Sequence, residues 1–190
     1  DHGYHGNTTG AVDISAYKFN KPNGVGQADW VELVEVADDY RGSYRRDDPQ
    51  RAQKFADFVD PAIAALQGKG HGLAGFIAET FPSVGGQIIL PQGYLPAVYQ
   101  KIRAAGGVCI ADEVQTGLMR TGELWGITKH GITPDILVTG KGISGGLYPI
   151  AAVLATEKAA GWLNEDGFGH ISTFGGAELG CIAALKTLEI

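Results

Sequence analysis

The residues whose types could do chemistry together are Asp112 and Lys141, because each follows an apolar run of strand length. Such runs are typical of buried parallel strands, whose last residues emerge at the carboxyl edge of a sheet, where α/β folds bind ligands. A bare buried carboxylate at that edge would be unstable without a cation. Lys141 could be that cation, in a buried ion pair that braces two strand ends. Alternatively, both could serve a third group such as pyridoxal phosphate, whose ring nitrogen needs an acid and whose aldehyde needs an amine.

Two nucleotide-binding patterns overlap these residues. Gly140 to Gly145 matches G-x-G-x-x-G, but that fingerprint needs a helix at its third glycine, and here Pro149 and a further apolar run follow almost at once. The run ending in Asp112 and Glu113 also resembles the metal-holding strand of a P-loop ATPase. The G-x-x-x-x-G-K-[ST] motif that must precede such a strand does not occur in the chain. We therefore interpret both matches as coincidental.

A metal site is the other chemistry that the residue types allow. His2 and His5 could form a metal pair, with Asp112 or Glu113 as a third ligand. Histidines in a glycine-flanked loop are more often structural, and no other His or Cys has ligand spacing. The sequence therefore predicts no metal.

Regular elements are predicted from about residue 50 onward, after an extended connection over residues 17–51. A helix is predicted over residues 51–67, restarting at Asp60-Pro61 with Asp60 as the N-cap. A second helix is predicted over 93–105, and strands over 73–79, 108–113, 135–139 and 150–156. The helix between two strands predicts a parallel sheet and an α/β fold. The gap between Lys141 and Ile150 is too short for a helical crossover, so the last two strands should be antiparallel, with the lysine in a glycine-rich turn.

Composition excludes several classes of protein. The 190 residues are 44% hydrophobic and 19% charged, with a net charge of −6 at pH 7, which is typical of a soluble domain and disfavours nucleic acid as a partner. No apolar run reaches the roughly 20 residues that span a bilayer. Cys109 and Cys181, both predicted to be buried, are too few for a disulfide framework, so we expect a reducing compartment and a cytoplasmic location. Since the chain starts without Met and stops within a helical pattern, we expect a piece of a longer protein.

Several motifs along the whole chain resemble class-III, fold-type-I aminotransferases, which depend on pyridoxal 5′-phosphate (PLP). In order they are Tyr4-His5-Gly6-Asn7-Thr8, Val108 to Gly117, Arg120-Thr121-Gly122, Pro134-Asp135-Ile136, Lys141 and Ser172-Thr173-Phe174-Gly175-Gly176. Residues 76–79 and 85–91 most resemble the branch that holds alanine-glyoxylate aminotransferase 2 and ethanolamine-phosphate phospho-lyase. The resemblance implies the mostly parallel sheet of the aspartate aminotransferase-like large domain. Residues 1–190 would be its central part, without the phosphate loop upstream or the small C-terminal domain.

The resemblance also assigns roles to residues. Lys141 would be the Schiff-base lysine and the acid/base that moves the substrate proton, while Asp112 would bond the pyridine nitrogen and keep it protonated. Gln115 would bond the phenolic oxygen of the cofactor, with Val114 and Tyr4 on opposite faces of its ring. The remaining residues that the resemblance places at the cofactor are His5, the strand-end acid Glu79, and Thr173, which would reach the phosphate of the neighbouring subunit's cofactor. The site would then be complete only in a homodimer.

The resemblance implies transfer of an amino group from a small amine or amino acid to a 2-oxo acid or aldehyde. A phospho-lyase acting on a phosphorylated amino alcohol would keep Lys141 and Asp112, and a non-catalytic scaffold or an inactive fragment is the third alternative. Leu118-Met119 departs from the family pattern, because relatives usually have a glycine before the arginine. Val84 stands where ornithine- and 4-aminobutyrate-type enzymes carry a glutamate that pairs with a substrate-gating arginine.

Overall fold

The computed structural model describes residues 1–190, and four strands form one sheet in chain order. The strands are β1 (Gly75–Glu79), β2 (Val108–Asp112), β3 (Ile136–Thr139) and β4 (Ala152–Ala155). β1, β2 and β3 are parallel, and β4 is antiparallel to β3. The predicted α/β class, the mostly parallel sheet and the antiparallel last pair are confirmed.

Seven α-helices surround or extend this sheet. They are α1 (Thr9–Asp13), α2 (Ala16–Phe19), α3 (Arg51–Asp57), α4 (Val59–Gly68), α5 (Tyr94–Ala104), α6 (Glu157–Ala160) and α7 (Glu178–Glu189). Three 3₁₀ turns lie at Gly126–His130, Lys141–Ser144 and Gly161–Asn164. No helix has both the length and the apolar character that crossing a membrane requires.

The core lies between α5 and the sheet. Residues of α5 at helical spacing are buried on one face, namely Tyr94, Leu95, Val98, Tyr99 and Ile102. They join Phe55 of α3, Cys109 of β2 and Leu137 of β3 in one apolar cluster. Full burial of one such side chain stabilises the folded state by about 1.5–3 kcal/mol, compared with leaving it exposed to water. The α5 crossover therefore fixes β1 and β2 side by side.

Two expectations about local structure are wrong. The first helix ends at Asp57 and α4 begins at Val59, so Phe58 is the N-cap and Asp60 lies in the first turn. Proline is tolerated throughout the first turn, where N–H groups lack intrahelical partners, so Pro61 does not require the helix to start beside it. Cys181 is exposed, because α7 buries only Gly180 against the rest of the chain.

The strand register gathers charged residues at one edge of the sheet. Glu79 at the end of β1 is the direct partner of Asp112 at the end of β2. Asp112 in turn pairs with Val138 of β3, and Lys141 follows β3 after Gly140. Because the carboxyl ends of parallel strands meet at the same edge, the sheet brings Glu79, Asp112 and Lys141 together.

Candidate active site

Asp112 is held in place by two hydrogen bonds. Its Oδ2 lies 2.8 Å from Nδ1 of His5, and its Oδ1 accepts the backbone N–H of Val114 at 3.1 Å. Because a carboxylate only accepts, Nδ1 of His5 carries the proton. The side chains of His5 and Asp112 are both more than nine-tenths buried. A buried hydrogen bond of this kind fixes the plane of the carboxylate and excludes water from it.

The position of His5 is itself determined by a buried serine. The His5 N–H donates to Oγ of Ser15 at 2.8 Å, and that hydroxyl donates to the Ala11 carbonyl at 2.5 Å. His2 faces elsewhere, since its Nδ1 lies 3.1 Å from an exposed carboxylate, Asp1. His2 and His5 therefore do not converge, and His5 serves Asp112.

Glu79 is occupied by backbone and hydroxyl donors. Its Oε1 accepts the N–H of Tyr4 at 3.3 Å, and its Oε2 accepts both the N–H and the hydroxyl of Ser83 at 3.1 Å. The residue is buried beside Asp112. Glu79 thus attaches the segment that carries Tyr4 and His5 to the sheet edge.

Lys141 is exposed and forms no salt bridge with Asp112, whose side-chain partner is His5. Its φ of +44° lies in the left-handed region, which costs a non-glycine residue on the order of 1 kcal/mol or more. The turn is held by the Ser144 hydroxyl, which donates to the Lys141 carbonyl at 3.2 Å. The structural Asp112–Lys141 ion pair that the spacing allowed is therefore not formed.

Val114 and Gln115 lie between these two strand ends. A Cβ placed on Gly140 would stand 3.6 Å from Cγ1 of Val114, so Val114 packs beside the start of the lysine turn. The side-chain Oε1 of Gln115 accepts a hydrogen bond from Nη1 of Arg120 at 3.4 Å. The side-chain NH₂ group of Gln115 is therefore free to donate. Arg120 also reaches the lysine turn, because a Cβ on Gly142 would stand 3.4 Å from its Nη2.

The loop that carries Arg120 has an unusual backbone. Leu118 and Met119 have φ values of +57° and +65°, so two successive non-glycine residues are left-handed. This is a physical reason for the glycine that the family pattern has before the arginine. Thr173, by contrast, is exposed in the segment before α7 and forms no hydrogen bond with the other predicted site residues.

Sequence reasoning missed the role of Glu113. This side chain is fully buried, and its carboxylate accepts four hydrogen bonds, from the hydroxyls of Thr80 and Thr116 and the N–H groups of Gly126 and Ile127, at 2.5–2.8 Å. It closes the loop of residues 114–125 against the sheet. The available signal was an acid inside a buried strand pattern with a threonine three residues later.

We expect Glu113→Gln to lower the free energy of unfolding by about 2–4 kcal/mol. An amide has one acceptor oxygen, and its NH₂ group would face hydroxyls and N–H groups that also donate. Urea denaturation of the variant and of the parent protein measures the difference. Glu123→Gln, an exposed change in the same loop, is the matched control and should stay within about 0.5 kcal/mol. Equal stability of the two variants would contradict the role of Glu113.

His130 is a buried histidine whose ring nitrogens have no hydrogen-bond partner within the chain. Its ring centroid lies 5.6 Å from that of Phe81. Burial lowers the pKa of His130 below 6.5, although the charge of Glu113 acts in the opposite direction. The folded protein therefore keeps this imidazole neutral under conditions in which the unfolded chain protonates it.

Acid should consequently destabilise the fold through His130. Below about pH 6.5 the unfolded state binds a proton at this residue and the folded state does not, so stability falls with a slope of up to about 1.4 kcal/mol per pH unit. The free energy of unfolding stops falling once the pH is below the pKa of His130 in the folded protein. Denaturation curves between pH 7 and pH 5 should show a smaller loss for His130→Leu than for the parent protein. Parallel losses in the two proteins would exclude His130 as the cause.

The chemistry of these groups fits a ligand with one basic ring nitrogen and one carbonyl group. Asp112 is an anchored carboxylate, Lys141 is an exposed amine, and Gln115 has a free amide donor. The sequence profile of the class-III aminotransferases matches residues 1–190. The chain belongs to the class-III aminotransferase family.

Known class-III proteins resemble the chain over its full length. An alanine-glyoxylate aminotransferase 2-like protein of Drosophila melanogaster is 36% identical over 100% of the chain and 39% of its own length. An amine transaminase from an uncultivated Pseudomonas species, solved in its PLP-bound form, superposes with a TM-score of 0.88 at 31% identity. The match covers 100% of the chain and 44% of the transaminase. A phospholyase from Arthrobacter, solved in complex with phosphoethanolamine, superposes with a TM-score of 0.81 at 34% identity. The match covers 98% of the chain and 43% of the phospholyase.

The match to the family profile and to solved structures confirms part of what the sequence predicted. The resemblance to class III, the fold type and PLP as the cofactor are confirmed. The chain spans about two fifths of the length of the relatives that it matches. The roles of individual site residues and the extent of the domain stay predictions.

Proposed function

We propose that this chain forms the central part of a PLP-dependent aminotransferase, which moves an amino group from an amine or amino acid to a 2-oxo acid or aldehyde. The observation that carries the proposal is Asp112, fixed by His5 at one strand end beside the strand end that bears the exposed Lys141. When bound, PLP supplies a ring that accepts the electron pair freed at the substrate carbon.

Lys141 supplies the reactive amine. Its Nζ would attach the cofactor through the aldehyde and, once an incoming substrate amine has replaced it, would be the group that accepts and delivers the substrate proton. The side chain is exposed at the sheet edge, so it can turn between these tasks. The left-handed backbone at Lys141 sets the direction in which the side chain leaves the turn.

Asp112 and His5 act as one unit. The Asp112 carboxylate would bond the ring nitrogen and stabilise its protonated form, while the Nδ1–H of His5 holds the carboxylate in plane. The two side chains are buried, so water competes little for the carboxylate. Charge stabilisation of this kind is stronger in a water-excluded site.

The remaining residues position the ring. Tyr4 and Val114 would cover its two faces, where an aromatic contact contributes on the order of 1 kcal/mol, and the free amide NH₂ of Gln115 would donate to the phenolic oxygen. Glu79 supports the Tyr4 segment through the backbone. Thr173 would reach the cofactor phosphate of a second subunit, and the active form would then be a homodimer. A cytoplasmic location is the other prediction that we retain.

The decisive experiment is borohydride reduction of the full-length protein after incubation with PLP, followed by peptide mass mapping. A pyridoxyl group on Lys141 supports the proposal and justifies screening amino donors with oxo-acid acceptors. An unmodified Lys141 in a folded protein that is saturated with the cofactor would contradict it.

A phospho-lyase acting on a phosphorylated amino alcohol is the second candidate. The Arthrobacter phospholyase supports it, because it matches the chain at 34% identity. The two activities differ in their products. Release of phosphate from such a substrate without an oxo-acid acceptor identifies the lyase, whereas nitrogen transfer that depends on the acceptor identifies the aminotransferase.

A further inference from the structure

Arg120 joins the two loops that follow β2 and β3 at the candidate site. Its Nη1 donates to Oε1 of Gln115, in the loop after β2, at 3.4 Å. On the other side, a Cβ placed on Gly142 would stand 3.4 Å from Nη2 and 3.6 Å from Nε of the same guanidinium. Gly142 directly follows Lys141 and has no side chain that would displace the guanidinium. Arg120 therefore lies between Gln115 and the lysine turn.

The main chain on both sides of Gln115 is fixed by hydrogen bonds. The N–H of Val114 donates to Oδ1 of Asp112 at 3.1 Å, and the N–H of Gly117 donates to the Glu113 carbonyl at 2.8 Å. These bonds attach the Gln115 backbone to the end of β2. They do not determine which way its side-chain amide faces, because the oxygen and the NH₂ group of an amide exchange places on a half turn of the side chain.

The loop that carries Arg120 is closed on both sides of this residue. The N–H of Leu118 donates to the Leu124 carbonyl at 2.7 Å, and the N–H of Gly122 donates to the Met119 carbonyl at 2.9 Å. Leu118 and Met119 are both left-handed, and such a backbone persists only where surrounding contacts determine it. The closed loop therefore fixes the point from which the Arg120 side chain leaves.

The donors of Arg120 decide how the amide of Gln115 is oriented. A guanidinium only donates, whereas an amide has one acceptor oxygen and one NH₂ group. Turning the amide round would set its NH₂ group against a group that also donates. Arg120 forms no salt bridge within the chain, so its charge strengthens the bond to the amide oxygen. We propose that Arg120 is a positioning residue, which holds Oε1 of Gln115 and thereby directs the NH₂ group of Gln115 to the ligand of the site.

The role of Arg120 rests on the proposed function, in which the NH₂ group of Gln115 would donate to the phenolic oxygen of PLP. A hydrogen bond to the charged form of an acid lowers the pKa of that acid. If the amide of Gln115 loses its orientation, the apparent pKa of the bound cofactor should rise. The absorbance of PLP changes with its protonation, so a pH titration of the absorbance reports this pKa.

The first test is this titration with the full-length, PLP-loaded protein. We expect Arg120→Met to raise the apparent pKa of the bound cofactor by about 0.5–1 unit and the dissociation constant of PLP about 3- to 10-fold. Arg120→Lys keeps a charged donor and should restore part of both values. Lys129→Met is the matched control, because it removes an exposed positive charge near the same loop, and it should leave both values unchanged.

A double-mutant cycle shows whether Arg120 acts through Gln115. Gln115→Ala should raise the apparent pKa at least as much as Arg120→Met does, and adding Arg120→Met to it should change the pKa by less than about 0.2 unit. Additive shifts would overturn the inference, because Arg120 would then act through its charge or through Gly142. Unchanged values in Arg120→Met, or an equal shift in Lys129→Met, would overturn it as well.

A measurement on the cofactor-free protein separates this inference from the proposed function. With glutamine labelled selectively with ¹⁵N, the side-chain NH₂ signals of Gln115 are those that Gln115→Ala removes. These signals should move in Arg120→Met and stay in place in Lys129→Met, and signals that do not move in Arg120→Met would contradict the contact. A parent protein that binds no PLP would defeat the proposed function, whereas the NMR result would still decide whether Arg120 holds the amide.

Discussion

Replacing Lys141 with alanine should lower the rate of amino-group transfer by at least about a thousandfold. Under the proposed function, the change removes both the amine that would attach the cofactor and the base that would move the substrate proton. The side chain is exposed, so little packing is lost with it. Single-turnover measurements with the full-length protein and saturating PLP give the rate, and thermal unfolding shows whether the fold is intact.

Two companion variants make the Lys141 result specific. Lys141→Gly should lose as much activity but be more stable than Lys141→Ala, because glycine adopts the φ of +44° without strain. Lys158→Ala, at an exposed lysine on α6, should keep the activity of the parent protein. A Lys141→Ala enzyme that retains a tenth or more of the parent rate would exclude Lys141 as the reactive amine.

The second large effect is expected for Asp112→Asn, with a rate loss of about 100- to 1000-fold, or roughly 3–4 kcal/mol of activation free energy. Asparagine keeps the size of the side chain and can still accept a hydrogen bond from His5. It lacks the negative charge that stabilises a protonated ring nitrogen. The half-reaction with an amino donor should therefore slow even when cofactor occupancy, measured by absorbance, is complete.

Asp29→Asn is the matched control, because Asp29 is exposed and far from the strand ends in sequence. It should react at the parent rate. If Asp112→Asn bound PLP fully and also reacted at the parent rate, the carboxylate would have no part in the chemistry. A loss that disappears once more PLP is added would show instead that Asp112 acts only in binding the cofactor.

Much of the scaffold could be predicted from local pattern. Apolar runs that end in Glu79, Asp112 and the glycine before Lys141 identify three strand ends, and the helix after residue 93 requires the first two strands to be parallel. The short gap to Ile150 leaves only an antiparallel return. These features depend on residues close in sequence, so periodicity and chain length reveal them.

Local pattern failed where a boundary or a face depends on packing. Asp60 and Pro61 suit a helix start, yet the first turn of α4 begins earlier, at Val59, because proline is compatible with any position there. Cys181 falls on an apolar face of α7, but burial requires a neighbouring element, and the chain buries only Gly180 of that helix.

The sequence by itself therefore determined the fold class and the positions of Lys141 in its glycine-rich turn and of Asp112 on the neighbouring strand. Only the tertiary structure decided which side chain is hydrogen-bonded to that acid. His5 lies 107 positions from Asp112 along the chain and is its partner in place of Lys141, which spacing alone allowed. The four hydrogen bonds that Glu113 accepts were likewise decided by the fold. Such partners meet through chain crossings and loop closures, and no local periodicity records which distant donor reaches a buried carboxylate.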